Sequence, residues 1–171
     1  NESGDYSSFN TASPLTGNIL PGRKVRIRST APSAQTLWTG FLDTIEPIPS
    51  RHDVRRARLT AIGPMAYMNT QEVSIAMKTS VAPGTSIGDI LDNVGWPAGD
   101  RTVDAGQTTM DRFWVDAVHT IFAFRLVEDT ESGFVYEGKD GKLIFEDRHH
   151  RLKAPHITNQ ATFSDAVAAV R

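Results

Sequence analysis

The sequence predicts an α+β fold: an antiparallel β region, of barrel or sandwich geometry, joined to a small α+β unit in which a helix packs on a β-hairpin. Three observations carry this. In GRKVRIRST, Val25 and Ile27 alternate with Lys24, Arg26 and Arg28, the period of two expected of a half-buried strand. In TSIGDILDNVGWP, Ile87, Ile90, Leu91 and Val94 recur at helical spacing, so one face of a helix is buried. In FVYEGKDGKLIFED, Asp140-Gly141 joins two strand-like runs as a two-residue type I′ turn would.

Taken in order, Asn1 to Asn18 is rich in Ser, Thr, Asn and Gly and reads as an extended polar connection. Pro21-Gly22 precedes the first strand, and Pro32-Ser33 turns the chain into TLWTGFLDTIEP, a second strand closed by Pro47. ARLTAIG, Ala57 to Gly63, is a third. Between the last two lies SRHDVRRAR, which concentrates Arg51, Arg55, Arg56 and Arg58. Such a charge run reads as a solvated hairpin loop, or as a dock for an acidic neighbouring subunit. Three strands joined by turns suit antiparallel barrel or sandwich geometry.

From Pro64 the pattern changes. PMAYMN makes at most one helical turn, and Val73 to Ser80 alternates like a short strand. Ser86 is placed to cap the following helix, with Asp89 three residues on; Gly95 and Pro97 end it. A Gly/Asp/Thr-rich connector, Ala98 to Asp111, leads to a short strand RFWV. A second helix is expected from about Ala117 to Glu131, capped by Asp116, with Val118, Ile121, Phe122 and Leu126 as its main buried stripe. Phe124 and Val127 widen that stripe, and Gly133 ends the helix. Pairing across Asp140-Gly141 sets Tyr136 opposite Phe145 and Glu137 opposite Ile144. Phe134, Tyr136, Leu143 and Phe145 would then share the face that covers the helix. Ala154 to Arg171 reads as a return to polar strand and turn. The chain thus divides into a β region over 1–70, an α+β unit over 71–150 and a polar remainder over 151–171.

The bulk numbers exclude more than they select. The 171 residues are 39% hydrophobic and 22% charged, with net charge −2, ordinary for one large domain or two small ones. Near-neutral charge gives no electrostatic reason for a nucleic-acid or membrane surface as main partner. The absence of cysteine rules out disulfides, thiolate metal sites and thiol catalysis. No apolar run approaches the roughly 20 residues of a membrane span. The chain opens on Asn1 within a polar segment, which suggests a portion of a longer polypeptide.

The richest chemistry lies in FEDRHHRL, Phe145 to Leu152. Glu146/Asp147 and His149/His150 are consecutive, so in extended chain each pair diverges. A metal site needs converging ligands, and this spacing supplies none. A pH-sensing role stays open because His titrates near neutrality; a charged strand exit paired with neighbouring elements is the simpler reading. Glu128 and Asp129 diverge on a helix and do not face one bond. Nucleophile elbow, zinc-protease, P-loop and dinucleotide motifs are all absent. Trp38, Trp96 and Trp114 stand among apolar residues as core or interface anchors rather than a sugar-stacking platform. No catalytic, cofactor-binding or metal-binding residue emerges.

The order of segments carries more information. GRKVRIRST, LWTGFLDTIEP (with Phe41, Leu42 and Asp43), ARLTAIG, SIGDILDNVGWP, the helix ending in SG and FVYEGKDGKLIFEDRHHRL together resemble the bacteriophage tail-tip or baseplate hub family of siphophages and related prophages. The resemblance covers roughly Tyr6 to Phe163, and its most telling motifs are GWP and FEDRHHR. It implies a structural virion subunit with no cofactor, forming a ring, usually a homotrimer. That ring adapts the tail tube protein to spike or fibre proteins and lets DNA pass without specific binding. It implies a phage tail or a phage-derived particle such as a gene transfer agent. It implies an antiparallel β-barrel portion over 1–70, an inserted α+β domain over 71–150 and a return toward the barrel over 151–171, with further barrel strands beyond Asn1 and Arg171. Arg51, Arg55, Arg56 and Arg58 become possible subunit contacts. The competing readings are a tail-associated cell-wall hydrolase and a carbohydrate-binding module.

Overall fold

A computed structural model describes residues 10–48, 56–159 and 161. It is α+β, mostly strands with three helices, and its strands form three separate sheets. Among the described residues these sheets do not close into a barrel.

The first sheet is an antiparallel meander of β1 (Lys24–Ser29), β2 (Gln35–Ile48) and β3 (Arg56–Ile62). Its three strands are those expected, though β2 continues through Pro47 to Ile48. Bulges at Ile27/Arg28 and at Leu42/Thr44 shift the register, and alternation on either side of them sorts the side chains. One face carries Val25, Ile27, Trp38, Leu42, Ile45, Leu59 and Ala61. The opposite face carries Lys24, Arg26, Arg28, Thr39, Thr44, Glu46, Arg56, Arg58 and Thr60, together with Phe41, Ile48 and Ile62. Arg58 is a strand residue, as the third strand from Ala57 requires, and Arg56, expected in the loop before it, begins that strand; Arg51 and Arg55 lie outside the described residues. The apolar face is only partly covered: Leu42 is buried, Val25, Trp38, Ile45 and Ala61 are half-buried, and Ile27 is 52% and Leu59 46% exposed.

Ahead of this sheet, residues 10–18 fold into consecutive turns rather than an extended connection. Ser13, Thr16 and Asn18 amides donate to carbonyls three residues back. Main-chain bonds then continue beyond the β1–β2 ladder, Gly22 N–H donating to Leu42 O at 2.6 Å and Leu42 N–H to Arg23 O at 2.8 Å.

The second unit is built differently. α1 (Pro64–Met68) is the expected single turn. β4 (Glu72–Val81) pairs antiparallel with β6 (Met110–His119), and α2 (Pro83–Asn93) and α3 (Thr120–Glu131) pack together and against β4 and β6. The third sheet has β8 (Leu143–Glu146) at its centre, antiparallel to β7 (Phe134–Glu137) and parallel to β5 (Arg101–Val103). One continuous core runs from Met68 through Ile87, Ile90, Leu91, Phe113, Phe124 and Val127 to Leu143 and Phe145. Burying each of those large side chains contributes about 1.5–3 kcal/mol.

Four expectations are corrected here. α2 starts three residues earlier than Ser86, because Pro83 suits the first helical position, where no amide partner is needed. Ser86 is not a cap but a buried helical residue, and Asp89 sits mid-helix, paired with Lys78 at 2.7 Å. α3 starts at Thr120 with His119 at its cap position, not at Ala117 with Asp116. The segment ahead of it stays in β6, where Val118 and His119 pair with Val73 and Glu72. Its buried face is Thr120, Ala123, Phe124, Val127, Glu128 and Glu131, whereas Phe122 and Leu126 face outward. The hairpin register is also one residue away from the expected one: Val135 pairs with Phe145 and Tyr136 with Ile144.

That last shift has a local cause. Gly141 N–H donates to Gly138 O and Gly138 N–H to Lys142 O, both at 2.8 Å, leaving a three-residue loop, Lys139 to Gly141. Gly141 takes φ +80°, the left-handed position such a loop reserves for glycine. The extra loop residue places Val135, Leu143 and Phe145 on the core face. Phe134 and Tyr136, expected inside, are exposed.

The two units meet at an aromatic cluster. Phe41 of β2 stacks on Tyr67 of α1 at 4.7 Å and meets Trp96 edge-on at 5.6 Å. The Trp96 indole N–H donates to Asp100 O at 2.8 Å, so the GWP segment anchors a joint as well as ending α2. Lys24 adds an ion pair to Asp100 at 2.8 Å. Past β8 the chain makes a 3-10 turn (His150–Leu152) and further turns, with no strand among its described residues; the expected Ala/Val-rich end lies outside them. No helix among the described residues is long and apolar enough to cross a membrane.

Candidate functional site

The chemistry-bearing residues converge where α3 ends, β8 exits and the connector after β5 passes. α3 contributes Glu128 and Glu131, three apart and so on one helix face. Glu128 Oε1 accepts from Val135 N–H at 2.6 Å, and Oε2 pairs with Arg125 at 2.5 Å. Ser132 closes the helix in the left-handed conformation (φ +55°), and Gly133 follows. A Cβ on Gly133 would lie 2.6 Å from Glu146 O, so only glycine lets α3 turn this closely onto β8.

Glu131 is fully buried, and the connector is wrapped around it. Its carboxylate accepts from Gln107 N–H and Thr108 N–H, each at 2.9 Å, and from Arg148 Nε at 3.2 Å. Burial alone would raise its pKa. Those donors more than offset that and hold it below its ordinary value.

The two carboxylates of FEDRHHRL are buried next to it. Glu146 accepts from the Tyr136 hydroxyl and pairs with Arg151 at 3.4 Å; His150 Nε2 lies 3.5 Å away. Burial opposes its charge, yet the Tyr136 bond and the His150 and Arg151 charges leave its pKa lowered. Burial and the Glu146 carboxylate together push the Tyr136 phenol up to about 12. Asp147 accepts from Gln107 Nε2 at 2.7 Å and His149 N–H at 2.9 Å, with Lys153 at 3.5 Å. Burial again opposes, and these donors prevail, so its pKa is lowered. Asp104 receives Asp147 N–H at 3.1 Å and faces His150 Nδ1 at 2.6 Å.

Sequence reasoning identified Glu146, Asp147, His149 and His150 and read them as a charged exit paired with neighbouring elements. Each pairs as that reading requires except that the histidines part company: the His150 ring is between two carboxylates, while His149 is exposed. Asp104, Glu131 and Gln107 were missed. Their signal is tertiary, since residues 104–108 lie 23 to 46 positions before their partners. The carboxylates have their oxygens occupied by protein donors, and the described residues hold no group of three or more His, Asp or Glu arranged for a metal ion. Glu128 and Asp129 diverge as expected, one buried and one exposed.

The open surface lies elsewhere. On the β4–β6 ribbon a depression of about 400 Å³ is lined by Ser74, Ile75, Met77, Trp114 and Asp116. A second, of about 740 Å³, has Trp114, Asp111, Arg112, Leu126 and Thr130 on its walls. Trp114 forms the ridge between them and is 61% exposed; Met77, Phe122 and Leu126 are exposed on the same unit. Of the three tryptophans, Trp96 is core, Trp38 half-buried and only Trp114 is mostly open. Arg58 pairs with Glu46 at 3.6 Å with both side chains in water, so the described half of the arginine group contributes little to the fold. No protein-family model matches the chain, and no curated protein matches its sequence.

Proposed function

We propose that this chain is a structural hub subunit of a phage tail tip, baseplate or phage-derived particle. In that role it joins a ring, a homotrimer, between the tail tube protein and spike or fibre proteins, through which DNA passes. The observation that carries this reading is the sheet β1–β2–β3. A meander with one apolar face, and an opposite face that is basic or polar apart from Phe41, Ile48 and Ile62, is half of a two-layer wall. Its apolar side is only partly covered, and Ile27 and Leu59, about half exposed, each forgo about 1 kcal/mol of burial. We infer that this side is the inner wall of a barrel completed by further strands. The resemblance in segment order supports reading that barrel as a hub barrel.

Three further features support assembly rather than chemistry. The buried carboxylates are occupied in holding the fold. Arg56 and Arg58 present a basic strand face beside Arg51 and Arg55 in sequence, suited to an acidic neighbour. Met77, Trp114, Phe122 and Leu126 form exposed apolar surface of the kind that interfaces cover.

Mass photometry and electron microscopy of the native particle test the proposal. A ring containing this chain, weakened by Arg56→Glu with Arg58→Glu, is expected. An isolated monomer that cleaves cell-wall glycan or peptide contradicts it. The open Trp114 ridge, flanked by Asp111 and Arg112, favours a carbohydrate-binding module as the second reading. Saturable glycan binding lost in Trp114→Ala would select it; Trp96 is too buried to take part.

A further inference from the structure

The fold reading leaves one arrangement unused: His150 stands between two carboxylates. Its Nδ1 is 2.6 Å from Asp104 Oδ2, on the connector after β5, and its Nε2 is 3.5 Å from Glu146 Oε1, at the end of β8. A neutral imidazole has one N–H and one lone pair, so it satisfies one carboxylate and turns a lone pair toward the other. An imidazolium donates to both. We propose that His150 is a proton-operated latch that docks the exit segment, residues 148–159, onto the α+β unit.

The surroundings fix the direction. On the connector, the facing charge is Asp104, whose Oδ2 also takes Asp147 N–H at 3.1 Å. From β8 it is Glu146, which also holds Arg151 at 3.4 Å and the hydroxyl of Tyr136 from β7. From the exit segment itself come the His156 ring, centred 5.0 Å away, and Lys153, on Asp147 at 3.5 Å. Arg151 and Lys153 attach the segment at any pH near neutrality. His150 adds an attachment that is complete only when protonated. Docking therefore strengthens when the imidazole gains its second proton and weakens when that proton is lost. With side chains 29% and 25% exposed at the shorter contact, the latch tunes the segment rather than controlling the whole fold.

The test is amide exchange by NMR on the full chain, corrected for the intrinsic pH dependence of exchange. Protection of Asp147, Leu152 and Lys153 is expected to fall roughly twofold to fivefold from about pH 5.5 to 8, the worth of one part-exposed ion pair. Amides of α2 and α3 should not change. His150→Gln should flatten the dependence, and His156→Gln should retain it. The proposal is overturned by pH-independent protection in the unmodified chain. A dependence that survives in His150→Gln, disappears in His156→Gln, or appears equally in α2 and α3 would overturn it too. The readout concerns one chain and is separate from whether the protein assembles into a ring.

Discussion

The sheet β1–β2–β3 and the unit from α1 to β8 share one chain and follow opposite strategies. The second unit buries a continuous core and ties its loops with saturated carboxylates, Glu131 around the connector and Glu128 at β7. The first has a comparable strand pattern, yet Leu42 is its only fully covered large apolar side chain among the described residues. Alternation alone therefore specifies which face of a sheet wants cover, not whether the same chain provides it. A region whose pattern is satisfied internally contributes its own stability; one whose pattern is left open depends on what is added to it.

The largest contrast should come from paired truncations. Phe124→Ala removes a fully buried ring on α3 and is expected to cost about 3–5 kcal/mol in chemical denaturation. Leu59→Ala on the open face should cost less than about 1 kcal/mol in the isolated chain. Equal losses would break the comparison, because they would mean β3 is already covered. Next in size is Glu131→Ala, expected to cost about 3 kcal/mol by leaving the Gln107 and Thr108 amides without their acceptor. Rapid exchange of those two amides would accompany it, with β1–β3 unaffected.

Acid should divide the units in the same way. Glu131, Glu146 and Asp147 are all held below their ordinary values of 4.5, 4.5 and 3.8. Their contribution is complete above those values and is lost as pH falls through the lower, folded-state ones. Circular dichroism and exchange between about pH 5 and 2 should show the α+β unit losing stability, with the connector at residues 104–108 loosening first. The smallest effect expected is Lys24→Ala: the Lys24–Asp100 pair is one-third exposed on each side, so the variant should cost under about 1 kcal/mol.

Much of this architecture was legible in the sequence, and the misreadings have identifiable physical causes. β1, β2, β3, α1, β4 and the face of α2 follow directly from periodicity, because local pattern and tertiary environment agree there. α3 misled because two apolar stripes compete: Phe122 and Leu126 are the more hydrophobic positions, but packing buries Thr120, Glu128 and Glu131 together with Phe124 and Val127. Carboxylates on a core face count against burial in any hydropathy reading, and here they are the groups that fasten β7 and the connector. The hairpin register turned on one loop residue, which inverted the faces of β7. β5 went unseen because three residues in a parallel pairing leave no local signature. Within FEDRHHRL, consecutive side chains were expected to diverge; the turn after Asp147 instead brings His150 back over Glu146.

Hydrogen exchange on the native assembly and on the separated chain, compared strand by strand, tests the central claim most directly. Assembly should raise protection of amides across β1, β2 and β3 by about tenfold or more and leave α2 and α3 unchanged. Equal protection of β1–β3 in both states, or a native protein that is never found in an assembly, would contradict it.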